Sequence, residues 1–245
     1  MPCFYTPQLV LGMKNLTIEG EEYHHIVNVF RKKQEDQILL TNGRGLLTTA
    51  LIDTIEKKSL LVKTISSQQK EKSKPTIAVG FSLLRNKNDH FVIEKLTELG
   101  VSEFYPFMSQ YSGRTASENT REKFNKTAIA AIKQCDNPFL PIIKEVEGLE
   151  KTIELLLSDG CMVLAAQERE TSNILNDCFN DSFPEKIALI FGPEGGFSDE
   201  ELELFKAMNV NSFTICSHIL RAETAAIAGV SQLLLTIKKK YPEYF

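Results

Sequence analysis

The 245-residue chain has no Cys-x-x-Cys pair, no apolar run near the length of a membrane span, and no Gly-x-Gly-x-x-Gly segment opening a βαβ unit. Each absence removes a class of protein. The five cysteines, Cys3, Cys135, Cys161, Cys178 and Cys216, are odd in number and scattered, so neither a zinc site nor a disulfide framework is expected, and a reducing cytoplasm suits them. A membrane span needs about 20 apolar residues, and Met1 to Pro7 lack a basic region leading into an apolar core. A soluble, unprocessed, cytoplasmic protein without a membrane partner is the expectation. Lacking the glycine fingerprint and a suitably spaced acidic residue, the chain does not read as a dinucleotide-dependent Rossmann enzyme. Nor is it basic overall: 28 Lys and Arg against 32 Asp and Glu give −4, which argues against indiscriminate binding of nucleic acid. The charge is uneven, however. Residues 1–74 hold 11 Lys and Arg against 8 Asp and Glu, and residues 75–245 hold 17 against 24, so any polyanion is expected to meet the first part.

Two parts are also visible in the rhythm of the chain. Ser66 to Pro75 is polar and proline-ended, which reads as a linker between a domain of residues 1–70 and a second of residues 75–245. The first contains short β-like runs, Gln37–Thr41, Leu46–Asp53 and Ser59–Ile65, with Asn42-Gly43 as a hairpin signal, and one helical stretch near Glu21–Phe30. A small β-barrel or curled sheet follows. The second alternates strands, Thr76–Leu83, Ser102–Met108, Pro141–Val146, Cys161–Gln167, Lys186–Phe191 and Ser212–Cys216, with helices at Asp89–Leu99, Thr120–Cys135, Leu149–Leu157, Ser172–Phe179, after Ser198, and Ala222–Lys240. Repeated βα units imply an α/β fold with a parallel sheet covered on both faces.

Gly192-Pro193-Glu194-Gly195-Gly196-Phe197-Ser198 follows the apolar strand Lys186–Phe191, and Ser198 with Glu201 reads as a capping box. Ligands of open α/β sheets bind at such carboxyl-end loops, and glycine lets a ligand approach the main chain. The loop carries Glu194 and runs into Asp199, Glu200 and Glu201, which would repel a polyphosphate. An adenosine-bearing ligand with a positive centre, such as a sulfonium, fits better. A second strand end, loop and helix start occurs at Ile215-Cys216-Ser217-His218-Ile219-Leu220-Arg221-Ala222-Glu223-Thr224-Ala225. His24 and His25 are adjacent and diverge, without further Cys or His at metal-binding spacing, so no metal is expected.

The two loops together resemble the signature of the RsmE family, the 16S ribosomal RNA uracil-N3 methyltransferases of the SPOUT superfamily. Lys95-Leu96-Thr97-Glu98-Leu99-Gly100, Ser109 to Arg114, Lys133-Gln134-Cys135 through Pro141, and His24-His25 through Arg31 resemble further family segments. The resemblance implies a PUA-like β-barrel for RNA, then a SPOUT-type parallel sheet whose C-terminal chain forms a trefoil knot. It implies methylation at N3 of a uridine in 16S rRNA, within the small ribosomal subunit, by a homodimer using S-adenosylmethionine. The implied cofactor residues are Leu164, Ala165 and Ala166; Phe191, Gly192, Glu194, Gly195 and Gly196; and Ile215, Cys216, Ile219, Leu220, Thr224 and Ala225. The sequence departs from the family pattern at Ile215 to His218 and at Asn137.

Uracil N3 is protonated at neutral pH, so transfer needs charge stabilisation and help with a proton. Arg221 is the candidate to stabilise negative charge on uracil or to fix a phosphate, and Glu223 or Glu194 the candidate base. Arg31, Lys32, Lys95 and Arg114 are the candidate RNA contacts. An RNA-binding or ribosome-assembly protein with a degenerate methyltransferase domain is the competing reading, because of Cys216 and His218.

Overall fold

The computed structural model describes residues 1–168, 170, 173–179, 184–240 and 242. The chain forms two compact units, Met1–Lys72 with Ile129–Leu140, and Ser73–Ala128 with Pro141–Phe245.

The first unit contains β1 (Cys3–Tyr5), β2 (Asn15–Glu19), α1 (Gly20–His24), β3 (Gln37–Thr41), β4 (Leu46–Ile55) and β5 (Ser59–Gln69). They make a five-stranded sheet in the order β1-β3-β4-β5-β2, antiparallel except for β1 with β3. Strand alternation supplies the core: every second residue of β4 from Leu46 to Ile52 is buried, and Ile38, Leu40, Ala50, Ile52, Leu60 and Phe4 pack together. The hairpin turn falls at Asn42-Gly43-Arg44-Gly45, where Asn42 Oδ1 accepts from the N–H groups of Arg44 (2.8 Å) and Leu46 (3.3 Å). Gly43 and Gly45 take φ of 72° and 94°, the left-handed region that favours glycine.

Two expectations change here, and two strands were not foreseen. Ser66 to Gln69 is not linker but the end of β5, paired with Leu46 to Thr49, because ladder bonds hold polar residues on an exposed stretch as well as apolar ones. The helical stretch is split into α1 and a π-turn at His25–Val29. Strands β1 and β2 are too short to show a clear period in sequence.

The second unit contains β6 (Thr76–Ser82), α2 (Asn88–Glu98), β7 (Glu103–Met108), β8 (Ile142–Ile143), β9 (Glu147–Gly148), α4 (Leu149–Ser158), β10 (Met162–Ala166), β11 (Lys186–Phe191), α5 (Asp199–Ala207), β12 (Asn211–Phe213) and α6 (Ala222–Lys240), with α3 (Thr120–Gln134) running across the division of units. The sheet order is β12-β10-β11-β6-β7-β8, with β9 also on β7, and every pairing is parallel. Ile187 to Phe191 are all buried, as a strand covered on both faces requires. Phe81, Phe104 and Phe124 form one buried aromatic group, with ring centroids 6.2 Å and 5.8 Å from Phe81.

Two expected strands are shorter than the apolar pattern suggested. Pro141–Val146 pairs only at Ile142 and Ile143, and Ser212–Cys216 leaves the sheet after Phe213, where the Thr214 N–H bonds to Asn173 O instead of a strand partner. Of the expected helix Ser172–Phe179, Leu175–Cys178 forms a 3₁₀ turn, and Ser172 lies outside the described residues. Among the described residues no helix is long and apolar enough to cross a membrane.

Helix α6 packs close to the end of β11. A Cβ at Gly229 would lie 2.8 Å from two ring carbons of Phe191. On an open helix face Gly→Ala gains about 1 kcal/mol of helix propensity. Here overpacking of about 1–3 kcal/mol opposes it. Gly229→Ala is therefore expected to lower the urea midpoint of unfolding; a raised midpoint would show that Phe191 yields freely.

Candidate functional site

Strand β11 ends at Phe191, and the chain crosses the carboxyl edge of the sheet through Gly192 to Phe197 before α5 begins. Gly196 takes φ 72° and its N–H bonds to Pro193 O at 3.0 Å, closing a turn. Ser198 caps α5: its Oγ accepts from the Glu201 N–H at 3.2 Å, and Glu201 Oε2 accepts from the Ser198 N–H at 2.9 Å. The same carboxylate reaches the loop after β7, accepting from the Gln110 N–H (3.0 Å) and from Ser109 Oγ (3.3 Å). Glu194 makes a parallel connection to the loop after β6. Its Oε1 accepts from the Arg85 N–H at 2.9 Å. Gly113 is where these strands of chain meet, since a Cβ there would lie 2.7 Å from Arg85 Cγ and 2.8 Å from Glu194 Oε2. Gly195 is likewise pressed on Tyr111, with 2.9 Å from its missing Cβ to Tyr111 Cβ.

The second loop, Thr214 to Arg221, bonds mostly to itself. Thr214 Oγ1 donates to Cys216 O (3.3 Å), Cys216 Sγ to His218 O (3.2 Å), and Ser217 Oγ pairs with His218 Nδ1 (2.9 Å). Gln232 of α6 ties it down by donating to Ile215 O at 2.9 Å. Between the two loops lies a cavity of about 640 Å³. That is within the range for small-molecule sites, roughly 300–1,000 Å³.

Most expected cofactor residues line this cavity: Ala166 from β10, Phe191, Gly192, Glu194 and Gly196 from the first loop, and Ile215, Cys216, Ile219, Leu220 and Ala225 from the second. Arg221 and Glu223 line it too. Leu164 and Ala165 do not; both are fully buried within β10, and only the end of that strand reaches the cavity. Gly195 faces Tyr111 instead, and Thr224 is exposed on the first turn of α6. Sequence reasoning missed Arg85, Asn86, Asn88, Gln167 and Glu168, which also line the cavity. Arg85 to Asn88 follow β6, the neighbour of β11, so the strand order was the missing information.

The charged groups at the cavity differ in their freedom. Glu223 Oε2 is buried and has no hydrogen-bond partner among the described residues. Arg221 and Arg85 carry exposed side chains, and neither guanidinium has a hydrogen bond or ion pair among the described residues. Asn86 (φ 55°) and Lys87 (φ 62°) hold the loop after Arg85 in the left-handed region, which costs a non-glycine residue about 1 kcal/mol or more each.

The expected RNA contacts lie elsewhere. Arg31, at φ 53°, and Lys32 follow the π-turn of the first unit, with no ion pair among the described residues. Lys95 is held by Glu94 (2.7 Å) and Glu98 (2.8 Å), bonds that raise its pKa. Arg114 donates from Nε and from its terminal nitrogen to Asp89 Oδ2, both at 2.7 Å, and stacks over Phe124. The Asp89 carboxylate is completely buried, so Arg114 serves the fold. His24 pairs with Asn28, and His25 with Lys133 of the same unit. Burial pushes the Cys3 thiol up to about 12 and the Cys161 thiol to about 11, so neither is a thiolate at neutral pH.

With this geometry in view, comparison with known proteins is specific. Residues 70–234 match the family model of an RNA methyltransferase domain, and residues 18–65 that of an RNA methyltransferase PUA domain. The chain belongs to this family of RNA methyltransferases. A curated relative, ribosomal RNA small subunit methyltransferase E of Rickettsia conorii, is 29% identical over 213 residues, 86% of each chain. A solved methyltransferase of Legionella pneumophila, in complex with S-adenosylmethionine, has a TM-score of 0.85 at 26% identity, covering 95% of this chain and 96% of that one. Ribosomal RNA small subunit methyltransferase E of Neisseria gonorrhoeae shares the fold, with a TM-score of 0.87 at 22% identity over 96% of this chain and 97% of that one. The resemblance to RsmE drawn from the two loops is borne out.

Arg114→Ala would strand the buried Asp89 charge, an effect of about 3–5 kcal/mol at fully buried pairs and nearer the lower figure here, with Arg114 30% exposed. A large drop in denaturant midpoint is the expected result. An unchanged midpoint would return Arg114 to the surface contacts.

Proposed function

We propose that the chain is an S-adenosylmethionine-dependent methyltransferase acting on N3 of a uridine in 16S rRNA. The observation that carries this reading is the cavity between Phe191–Gly196 and Ile215–Ala225, where glycines and alanines lie among charged and apolar side chains. The donor set fits the cofactor. Gly192, Gly196, Ala166 and Ala225 allow close backbone approach, Glu168, Glu194 and Glu223 suit a positive centre, and no lysine of a phosphate-binding loop is among the lining residues. These residues would hold S-adenosylmethionine, which supplies an electrophilic methyl group on sulfur.

The chain's own residues do the rest. Arg221, exposed at the cavity and without a partner among the described residues, stabilises the negative charge that develops on uracil as N3 loses its proton. Glu223 is the better base, because its Oε2 has no hydrogen-bond partner among the described residues whereas Glu194 Oε1 is occupied by the Arg85 N–H. The Glu223 carboxylate would take the N3 proton, leaving N3 free to accept the methyl group that bound S-adenosylmethionine would supply. The uridine must leave its helix to reach such a cavity. In this reading the domains are residues 1–70, PUA-like and RNA-binding through Arg31 and Lys32, and residues 75–245, SPOUT-type. The C-terminal segment around Ile215–Ala225 and α6 forms the trefoil knot, and the working form is a cytoplasmic homodimer acting on the small subunit.

Methyl transfer onto small subunits from cells lacking the gene, with mapping of the modified base, is expected to give methylation at N3 of one uridine; methyl on another atom, or none, would sink the assignment. Calorimetry is expected to show S-adenosylmethionine binding, and its absence would favour the degenerate RNA-binding reading. Arg221→Ala should lower turnover by about 100-fold or more, the scale of a lost oxyanion donor, with cofactor affinity within a few-fold. If cofactor binding collapses instead, Arg221 is a cofactor ligand.

A further inference from the structure

We propose that Arg85 contacts the phosphate backbone of the RNA strand beside the target nucleotide, an inference that rests on the methyltransferase reading above. Arg85 lines the cavity from the loop after β6, while Arg221 lines it from the loop after β12. In the sheet order β12-β10-β11-β6 these two loops stand three strand spacings apart. The two cations therefore reach the cavity from different loops.

Arg85 is held as a binding residue would be. Its backbone N–H is fixed by Glu194, its Cγ passes the bare face of Gly113, and the left-handed Asn86 and Lys87 turn the chain directly after it. The side chain is exposed and its guanidinium has no partner among the described residues, although Glu194, Glu168 and Glu223 line the same cavity. Lys87, two residues on, is also exposed and without an ion pair among the described residues, but it does not line the cavity, so the proposal rests on Arg85.

The charge balance makes a lone exposed cation matter. Residues 75–245 carry 17 Lys and Arg against 24 Asp and Glu, so an RNA strand meets net repulsion over this part of the chain and must be held by local exposed cations. A guanidinium matches a phosphate in two parallel hydrogen bonds.

The test compares wild type, Arg85→Ala and Arg85→Lys in binding deproteinised 16S rRNA from cells lacking the gene, across a salt series, with S-adenosylmethionine affinity measured separately by calorimetry. Because the Glu194 bond uses the backbone N–H of Arg85, the alanine variant keeps that connection. Its rRNA affinity is expected to fall about five- to tenfold, and the slope of log affinity against log salt to drop by about 0.7–0.9, the value of one phosphate contact. Arg85→Lys should restore the slope, and cofactor affinity should stay within about twofold in both variants. Wild-type rRNA binding with an unchanged alanine slope overturns the proposal alone. So does a tenfold loss of cofactor affinity with the slope intact, which would make Arg85 a clamp on the cofactor carboxylate. Absence of rRNA binding by the wild type overturns the proposal together with the reading beneath it.

Discussion

The carboxylate of Glu201 is the constraint on which the site depends. One oxygen closes the capping box with Ser198 and also accepts from Ser109, and the other accepts from the Gln110 N–H. A helix start and a loop from a different strand are thus set by one side chain. Glu194 repeats the device one turn of chain earlier, joining the glycine loop to Arg85. Carboxylates accept several hydrogen bonds at once, and charge-assisted bonds of this kind are stronger than neutral ones. The three loops at the carboxyl ends of β11, β6 and β7 are therefore tied to one another by carboxylate hydrogen bonds. Acidity at the glycine loop, which the sequence suggested as a filter against phosphate, turns out also to be structural.

Much of the fold was legible because its causes are local. Strand β11 announced itself through Ile187 to Phe191, and the capping box at Ser198 and Glu201 was found where its spacing placed it. Elements failed where partners decided the outcome. Ser66 to Gln69 looked like linker because its residues are polar, yet ladder bonds to Leu46–Thr49 make it strand. Thr214 to Cys216 looked like strand, yet the sheet edge had ended.

The site divides in the same way. Phe191 to Gly196 and Ile215 to Ala225 were visible as glycine-rich and charged loops, and both reach the cavity. Arg85 and Asn86 were not, because their place beside β11 follows from strand order, a long-range property. For Arg114 the hidden part is the partner: a basic residue in sequence carries no sign of the buried Asp89 with which it pairs.

The bareness of Gly192 and Gly196, pressed on or turned toward Phe197 and Glu168, has an evolutionary and pharmacological side. Main chain at the glycines keeps its shape while side chains around it drift, which accords with a fold retained at 22% identity and with unusual residues such as Cys216 and His218 in the second loop. For the same reason, a compound shaped to that wall offers a mutating cell few exits. Most single substitutions would leave the wall as it was, and those that reshape it, at the glycines, would damage the protein that carries them.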